Sequence, residues 1–233
     1  MDDFINKNKN LTWTLPKTDL SDPVEFTEWL VRQESLGWIK LNLEIDVLQW
    51  KKEAAIIEEF FVDHRSHQGH IGWQGCSIHG QSHDRTETVD DAEFNWTELA
   101  ALTPSITNFW KSVFPVQGYK RLRFMKLAPG GIINIHNDLP DGATFEDIDP
   151  LRQTLSVNLA ITHPSDCDMI VEGCGTVPWS EGSCFIINIT KNHCVVNNSS
   201  MPRIHMIAEC LVGDRLLDFS NLLYDSYQRM ISD

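Results

Sequence analysis

The chain has 233 residues, a net charge of −14 at pH 7, and a hydrophobic fraction of 42% that includes eight Trp and eleven Phe. This composition excludes disordered, collagen-like and disulfide-scaffold proteins, and a chain of this length buries about 70% of its unfolded surface without covalent staples. The negative field argues against sequence-independent binding to nucleic-acid backbones. No apolar run approaches the length of a membrane span, and the first residues lack the pattern of a secretion signal. Six cysteines form no Cys-x-x-Cys pair, so a thiolate zinc site and a redox dithiol are not expected, and the protein reads as cytoplasmic with its thiols reduced.

In chain order, Asp22-Pro23 opens a helix with apolar positions Phe26, Trp29 and Leu30, closed by Gly37. Ile39, Leu41, Leu43 and Ile45 alternate as a half-buried strand. Asp46 caps a second helix through Trp50, Ala54, Ile57 and Phe61. The polar, His-rich stretch 63–91 contains a short strand at 71–78, and Glu98 to Phe114 predicts a helix either interrupted at Pro104 or starting late at it.

From Tyr119 the pattern changes to short strands separated by turn residues, at 119–127, 132–136, 154–162, 169–171, 183–190, 194–197 and 204–212. The predicted turns fall at Pro129-Gly130-Gly131, Pro140-Asp141-Gly142, 163–166, 180–182 and 197–202. About seven closely spaced strands suit a jelly roll, so the expected class is mainly β with flanking helices, built on a double-stranded β-helix core. The simplest organisation is one domain over 1–233. In it, 1–118 packs on a 119–212 core and an amphipathic helix at 213–233 closes the chain.

The sharpest chemical feature is His136-Asn137-Asp138. Residues i and i+2 of a strand project to one face, so an imidazole and a carboxylate there grip one ion together. A second His completes a facial triad that leaves positions open for a co-substrate and O₂ at Fe(II), and His193, at a strand start, is the best candidate. Arg203 lies ten residues further on. A hairpin pairing 193 with 205 and 195 with 203 would put it on the same face, one layer deeper, where a guanidinium holds a dicarboxylate bidentately. A bare His-x-Asp is weak evidence and alone reads more readily as a surface pair. The histidines at 64, 67, 70, 79 and 83 match no zinc spacing and read as a polar loop. That segment is expected to shape a substrate mouth, with Trp73 and His79 as the residues to test.

Taken in order, the segments 123–130, 136–138, 158–164, 179–182, 193–197 and Arg203 resemble the aspartyl/asparaginyl β-hydroxylase family of Fe(II)/2-oxoglutarate-dependent oxygenases, over about residues 119–212. The resemblance implies Fe(II) held by His136, Asp138 and His193 and 2-oxoglutarate anchored by Arg203. It also implies hydroxylation of an amino acid, a small metabolite or an Asp/Asn/Pro-type peptide residue, with release of succinate and CO₂. Asp138 retains a carboxylate that some members lack, which favours hydroxylation over halide transfer. Asn158 stands where one member has a His, and Met125 where that member has a Ser. Arg123, on the same strand face as Met125, is the candidate to supply the missing anion contact or to bind a substrate carboxylate. Asn158, whose amide still hydrogen-bonds a carboxylate, is the candidate to help it orient the co-substrate or an anionic substrate. The competing expectations are a cupin-type metalloenzyme that does not use 2-oxoglutarate and a non-enzymatic jelly-roll binding or sensor protein.

Overall fold

The structure is a computed structural model, and it describes residues 1–80, 95–139, 143–144 and 155–232. The predicted loop at 140–142, Thr154 at a predicted strand start, and His83 with the rest of 81–94 lie outside the described residues. No helix among the described residues is long and apolar enough to cross a membrane.

The first 117 residues supply most of the helices. α1 (Asp2–Asn8) was not expected from the sequence. α2 (Pro23–Leu30) starts where Asp22 accepts from the backbone N–H groups of Val24 and Glu25, both at 2.9 Å. β1 (Trp38–Leu41) ends before the expected Leu43 and Ile45. α3 (Val47–Ile56) is capped by Asp46 through Gln49 N–H, and a short 3-10 turn follows. β2 (Val62–Asp63) and β3 (Ile71–His79) flank another 3-10 turn at Ser66–Gln68. The interrupted helix before the core is α4 (Leu99–Leu102) and α5 (Pro104–Asn108), finishing in a π-helical turn at Phe109–Val113. Buried Glu53 of α3 accepts the first N–H groups of α5 from Ser105 and Ile106, both at 3.0 Å, which fixes one helix on the other.

The remaining strands are β4 (Gly118–His136), β5 (Leu155–Thr162), β6 (Cys167–Val171), β7 (Gly175–Thr176), β8 (Cys184–Ile187), β9 (His193–Asn197) and β10 (Arg203–Leu211). They are followed by α6 (Leu216–Ser232). The strand order is β1-β8-β5-β10-β4-β9-β6-β7, with β3 on the other edge of β4 and β2 beyond it. Among the described residues there are ten strands, seven of them from residue 118 onward, which is the number the sequence suggested for that region, in the mainly antiparallel, curled sheet with flanking helices that it implied.

Two expectations at the centre of this sheet are corrected. Pro129-Gly130-Gly131 does not reverse the chain. It is a bulge inside the single 19-residue strand β4, whose neighbour β3 advances from Ile71 to Trp73 while β4 advances from Ile132 back to Leu127. Gly130 has φ +70°, and a Cβ on Gly131 would lie 2.6 Å from the Leu127 side chain, so the corner needs both glycines.

The second correction concerns residues 193–212, which do not form a hairpin. β9 and β10 follow one another along the same edge of β4, with His193 opposite His136, Val196 opposite Ile132 and Arg203 opposite Leu127. The 198–202 segment is a corner matching the β4 bulge. The physical reason is Asn197, fully buried between the two. Its Nδ2 donates to the carbonyls of Leu127 (3.1 Å), Ala128 (3.1 Å) and Met201 (2.9 Å), and its Oδ1 accepts from Ser199 N–H (3.2 Å) and Oγ–H (2.6 Å). One side chain carries the pairing across a gap where the backbones cannot.

Along β10, Met206, Ala208 and Cys210 face a core built with Phe26, Ile57, Trp110, Phe219 and Tyr227 from the helical layer. The alternate residues Arg203, His205, Ile207 and Glu209 face into the curl of the sheet, where Met125, Leu127, Phe185 and Val195 form a second apolar cluster. Polar side chains on this inner face therefore share the barrel interior.

Asn197→Asp keeps the shape of the side chain but removes its donors, taking a hydrogen bond from the carbonyls of Leu127 and Ala128 and setting a buried carboxylate against them. The expected loss is about 2–4 kcal/mol of stability, read as a lower urea midpoint at unchanged slope. An unchanged midpoint would show that the corner does not depend on the amide.

Candidate metal centre and barrel interior

His136 ends β4, His193 begins β9, and the two are a register pair with ring centroids 4.4 Å apart. Asp138 lies just beyond the strand, where its N–H donates to the carbonyl of Ile189 at 2.9 Å, and its Oδ1 is 3.8 Å from His136 Nε2. One ligand atom from each of His136, Asp138 and His193 falls within 4.8 Å of the others.

Both imidazoles are oriented in the same way. His136 Nδ1 lies 2.7 Å from the carbonyl of Asn134, and His193 Nδ1 lies 3.0 Å from that of Lys191. A carbonyl only accepts, so each Nδ1 carries the proton and each Nε2 keeps its lone pair for an ion. Burial lowers the pKa of His193, which keeps that lone pair available. Two imidazoles and one carboxylate with an open side are the donor set of a non-haem ferrous site, and the residues fit that group.

The other predicted site residues separate into two groups. Arg203, 2% exposed, lies opposite Leu127 at the corner. Arg123 and Asn158 both pair with Ile207, four residues along β10 and so about 13 Å from Arg203. They line a different level of the interior from Arg203. Arg123 is buried and donates from Nη2 to Glu209 Oε1 at 3.1 Å, while its Nε and Nη1 have no hydrogen-bond partner. Burial lowers its pKa to about 10, with the Glu209 charge opposing, and the charges of Arg65 and Asp138 also reach it. Asn158 touches Ser156 Oγ at 3.3 Å.

Trp73 is at the candidate metal centre, its ring 6.3 Å from His136 and 4.9 Å from His70. His79 is not. It packs on Trp96 and Tyr119, 5.0 and 6.2 Å away on the helical side, so the structure does not bring it to this site. Met125, which has no donor to offer, is the cross-strand neighbour of His205.

Four residues near the interior were not selected from the sequence. Arg65 has φ +49°, the left-handed region, and its Nη1 stands 3.8 Å from Asp138 Oδ1. His70 Nδ1 accepts the N–H of Asn134, and burial lowers its pKa to about 4. Buried His205 and half-buried His163 form a pair beside Arg203, joined Nε2 to Nδ1 at 3.0 Å. The alternation Arg203-Ile204-His205 was the available signal for His205; Arg65 and His163 carried none.

Desolvation holds His163 neutral down to about pH 4, and it pushes His205 well below its ordinary range. The unfolded chain takes up these protons near pH 6.5, whereas the folded chain refuses them until lower pH. Stability is therefore lost as pH falls from about 6.5 toward 4. His163→Gln keeps an acceptor for His205 without titrating, so its urea midpoint is expected to fall less between pH 7 and pH 4.5 than that of the unaltered protein. Equal falls would contradict the burial argument.

Comparison with known proteins follows this geometry. A search of curated proteins finds no significant match. Among solved structures, the chain is similar to an oxidoreductase of the 2OG-Fe(II) oxygenase family from Burkholderia pseudomallei, with TM-score 0.52 and 11% identity over 86% of this chain and 95% of that one. It also matches a prolyl-4-hydroxylase from Pseudomonas putida (TM-score 0.43, 16% identity, 76% and 94% covered). A third match is a prolyl hydroxylase from Trichoplax adhaerens in complex with a hypoxia-inducible-factor peptide (TM-score 0.47, 11% identity, 83% and 92% covered). A family model described as aspartyl/asparaginyl beta-hydroxylase matches residues 37–211, about three quarters of the chain. The chain belongs to the aspartyl/asparaginyl β-hydroxylase family, and with it to the enzymes that use Fe(II) and 2-oxoglutarate.

Proposed function

We propose that the protein hydroxylates an amino acid, a small metabolite or an Asp/Asn/Pro-type peptide residue, with His136, Asp138 and His193 holding the iron. The convergence of their three ligand atoms within 4.8 Å carries this reading. Iron bound there supplies the oxidative chemistry that couples O₂ and 2-oxoglutarate to hydroxylation, with release of succinate and CO₂.

The chain's own residues do the binding and positioning. Arg203 receives the distal carboxylate of 2-oxoglutarate. It is a buried cation with an unpartnered Nε, and among the described residues no carboxylate lies within ion-pair distance of it. A buried charge without a counter-ion is costly, and a bound dianion removes that cost. Arg123 and Asn158 sit at the other level of the interior, and the two unpartnered nitrogens of Arg123 suit a carboxylate of the substrate. Trp73 forms an apolar wall beside His136 that keeps water from the reacting position. All six cysteines are free thiols and buried, which suits the reducing cytoplasm.

The test is an anaerobic titration of the Fe(II) protein with 2-oxoglutarate, followed by the visible charge-transfer band of a chelated 2-oxo acid. The band is expected in the unaltered protein, to need at least about tenfold more 2-oxoglutarate in Arg203→Ala, and to be absent from His193→Ala for want of iron. Bound iron without the band would sink the 2-oxoglutarate reading in favour of a cupin-type enzyme, and no bound iron would favour a binding module. Once succinate release identifies a substrate, Arg123→Gln should raise its KM about tenfold or more and leave 2-oxoglutarate binding unchanged. Weakened 2-oxoglutarate binding in that variant would reassign Arg123.

A further inference from the structure

The two arginines buried in the barrel have opposite kinds of partner. Arg123 donates to Glu209, a carboxylate that also takes Arg121 at 2.9 and 3.0 Å, so its charge is partly answered. Arg203 Nη2 instead meets His205 Nδ1 at 2.8 Å. A guanidinium only donates, so His205 Nδ1 must present a lone pair. The ring is 0% exposed and adjoins a cation, so it is neutral and its proton sits on Nε2, which donates to His163 Nδ1 at 3.0 Å. The ring of Trp179 closes the other side, 4.5 Å from His205 and 5.9 Å from His163. The charged or titratable groups acting on His205 are Arg203 and His163.

We propose that His205 is a positioning residue for the co-substrate: a neutral acceptor, locked in one tautomer by His163, that fixes the plane of the Arg203 guanidinium without cancelling its charge. A carboxylate at 205 would hold the plane equally well but would compete with the incoming carboxylate for the same cation. An aliphatic residue would leave the charge intact but release the plane and orphan another buried N–H. Only an uncharged acceptor leaves the guanidinium both fixed and fully positive. The inference rests on Arg203 as the anchor for 2-oxoglutarate, and its test separates the two claims.

The Fe(II) protein is titrated anaerobically with 2-oxoglutarate and with 2-oxobutanoate, which has the same chelating head and no distal carboxylate, while the charge-transfer band is read. His205→Gln should keep 2-oxoglutarate affinity within about threefold of the unaltered protein. His205→Glu should lower it by about tenfold or more, with iron binding and 2-oxobutanoate affinity unchanged. Should the Glu variant fail to fold, His205→Leu serves in its place, with an expected loss of about fivefold confined to 2-oxoglutarate. The proposal is overturned if the charged or apolar variant binds 2-oxoglutarate like the unaltered protein, or if it loses both acids in equal measure. An unaltered protein that binds both acids equally would instead remove Arg203 as the anchor, and the role of His205 with it.

Discussion

The amide of Asn197 is the joint on which the interior depends. β4 and the β9–β10 edge that runs beside it both turn a corner, and the strand pairing lapses there, between Ile132–Val196 and Leu127–Arg203. The amide spans that gap with hydrogen bonds to Leu127 and Ala128 on one side and Met201 on the other. On one side of the joint, His136 meets His193; on the other, Arg203 starts β10 opposite Leu127. The candidate metal centre and the buried guanidinium therefore belong to two halves of one bent pair of strands. A buried hydrogen-bonded group in that place fixes their relation more firmly than apolar packing would, because leaving any of those carbonyls unpaired is expensive.

The electrostatics of the interior run against those of the whole chain. The protein carries a net charge of −14, yet Arg121, Arg123 and Arg203 all face into the barrel, and Arg65 stands over Asp138. Glu209 offsets part of this at one level, and a neutral histidine partners the cation at the other. Such an interior attracts small anions at short range, where screening is weakest, and the acidic exterior gives no long-range help to polyanions. The arrangement suits a dianionic co-substrate and a carboxylate-bearing substrate better than a nucleic acid.

Much of this was legible in the sequence. Period-2 alternation located most of the core strands, capping residues Asp22 and Asp46 located two helices, and the ordered motifs from Arg123 to Arg203 pointed to the residues that converge as a metal centre. The failures have physical causes. The 197–202 segment has the residues of a hairpin turn, but whether such a turn reverses the chain is decided by what its side chains bond to, and the partners of Asn197 lie seventy residues away. The glycines at 130–131 likewise signal a sharp backbone change without saying whether it is a turn or a bulge. His79 looked like part of the mouth because it sits in a His-rich stretch, but a register shift between Ser77 and His79 turns it toward Trp96. Arg65 and His163 reach the site from elements that local sequence does not connect to it.

A crystal structure grown anaerobically with Mn(II) in place of iron and with 2-oxoglutarate tests the account most directly. It is predicted to show the ion on His136, Asp138 and His193, with the distal carboxylate within hydrogen-bond distance of Arg203 and the Arg203–His205 contact preserved. A co-substrate whose distal carboxylate lies against Arg123 and Asn158 instead, or an ion held elsewhere, would contradict it.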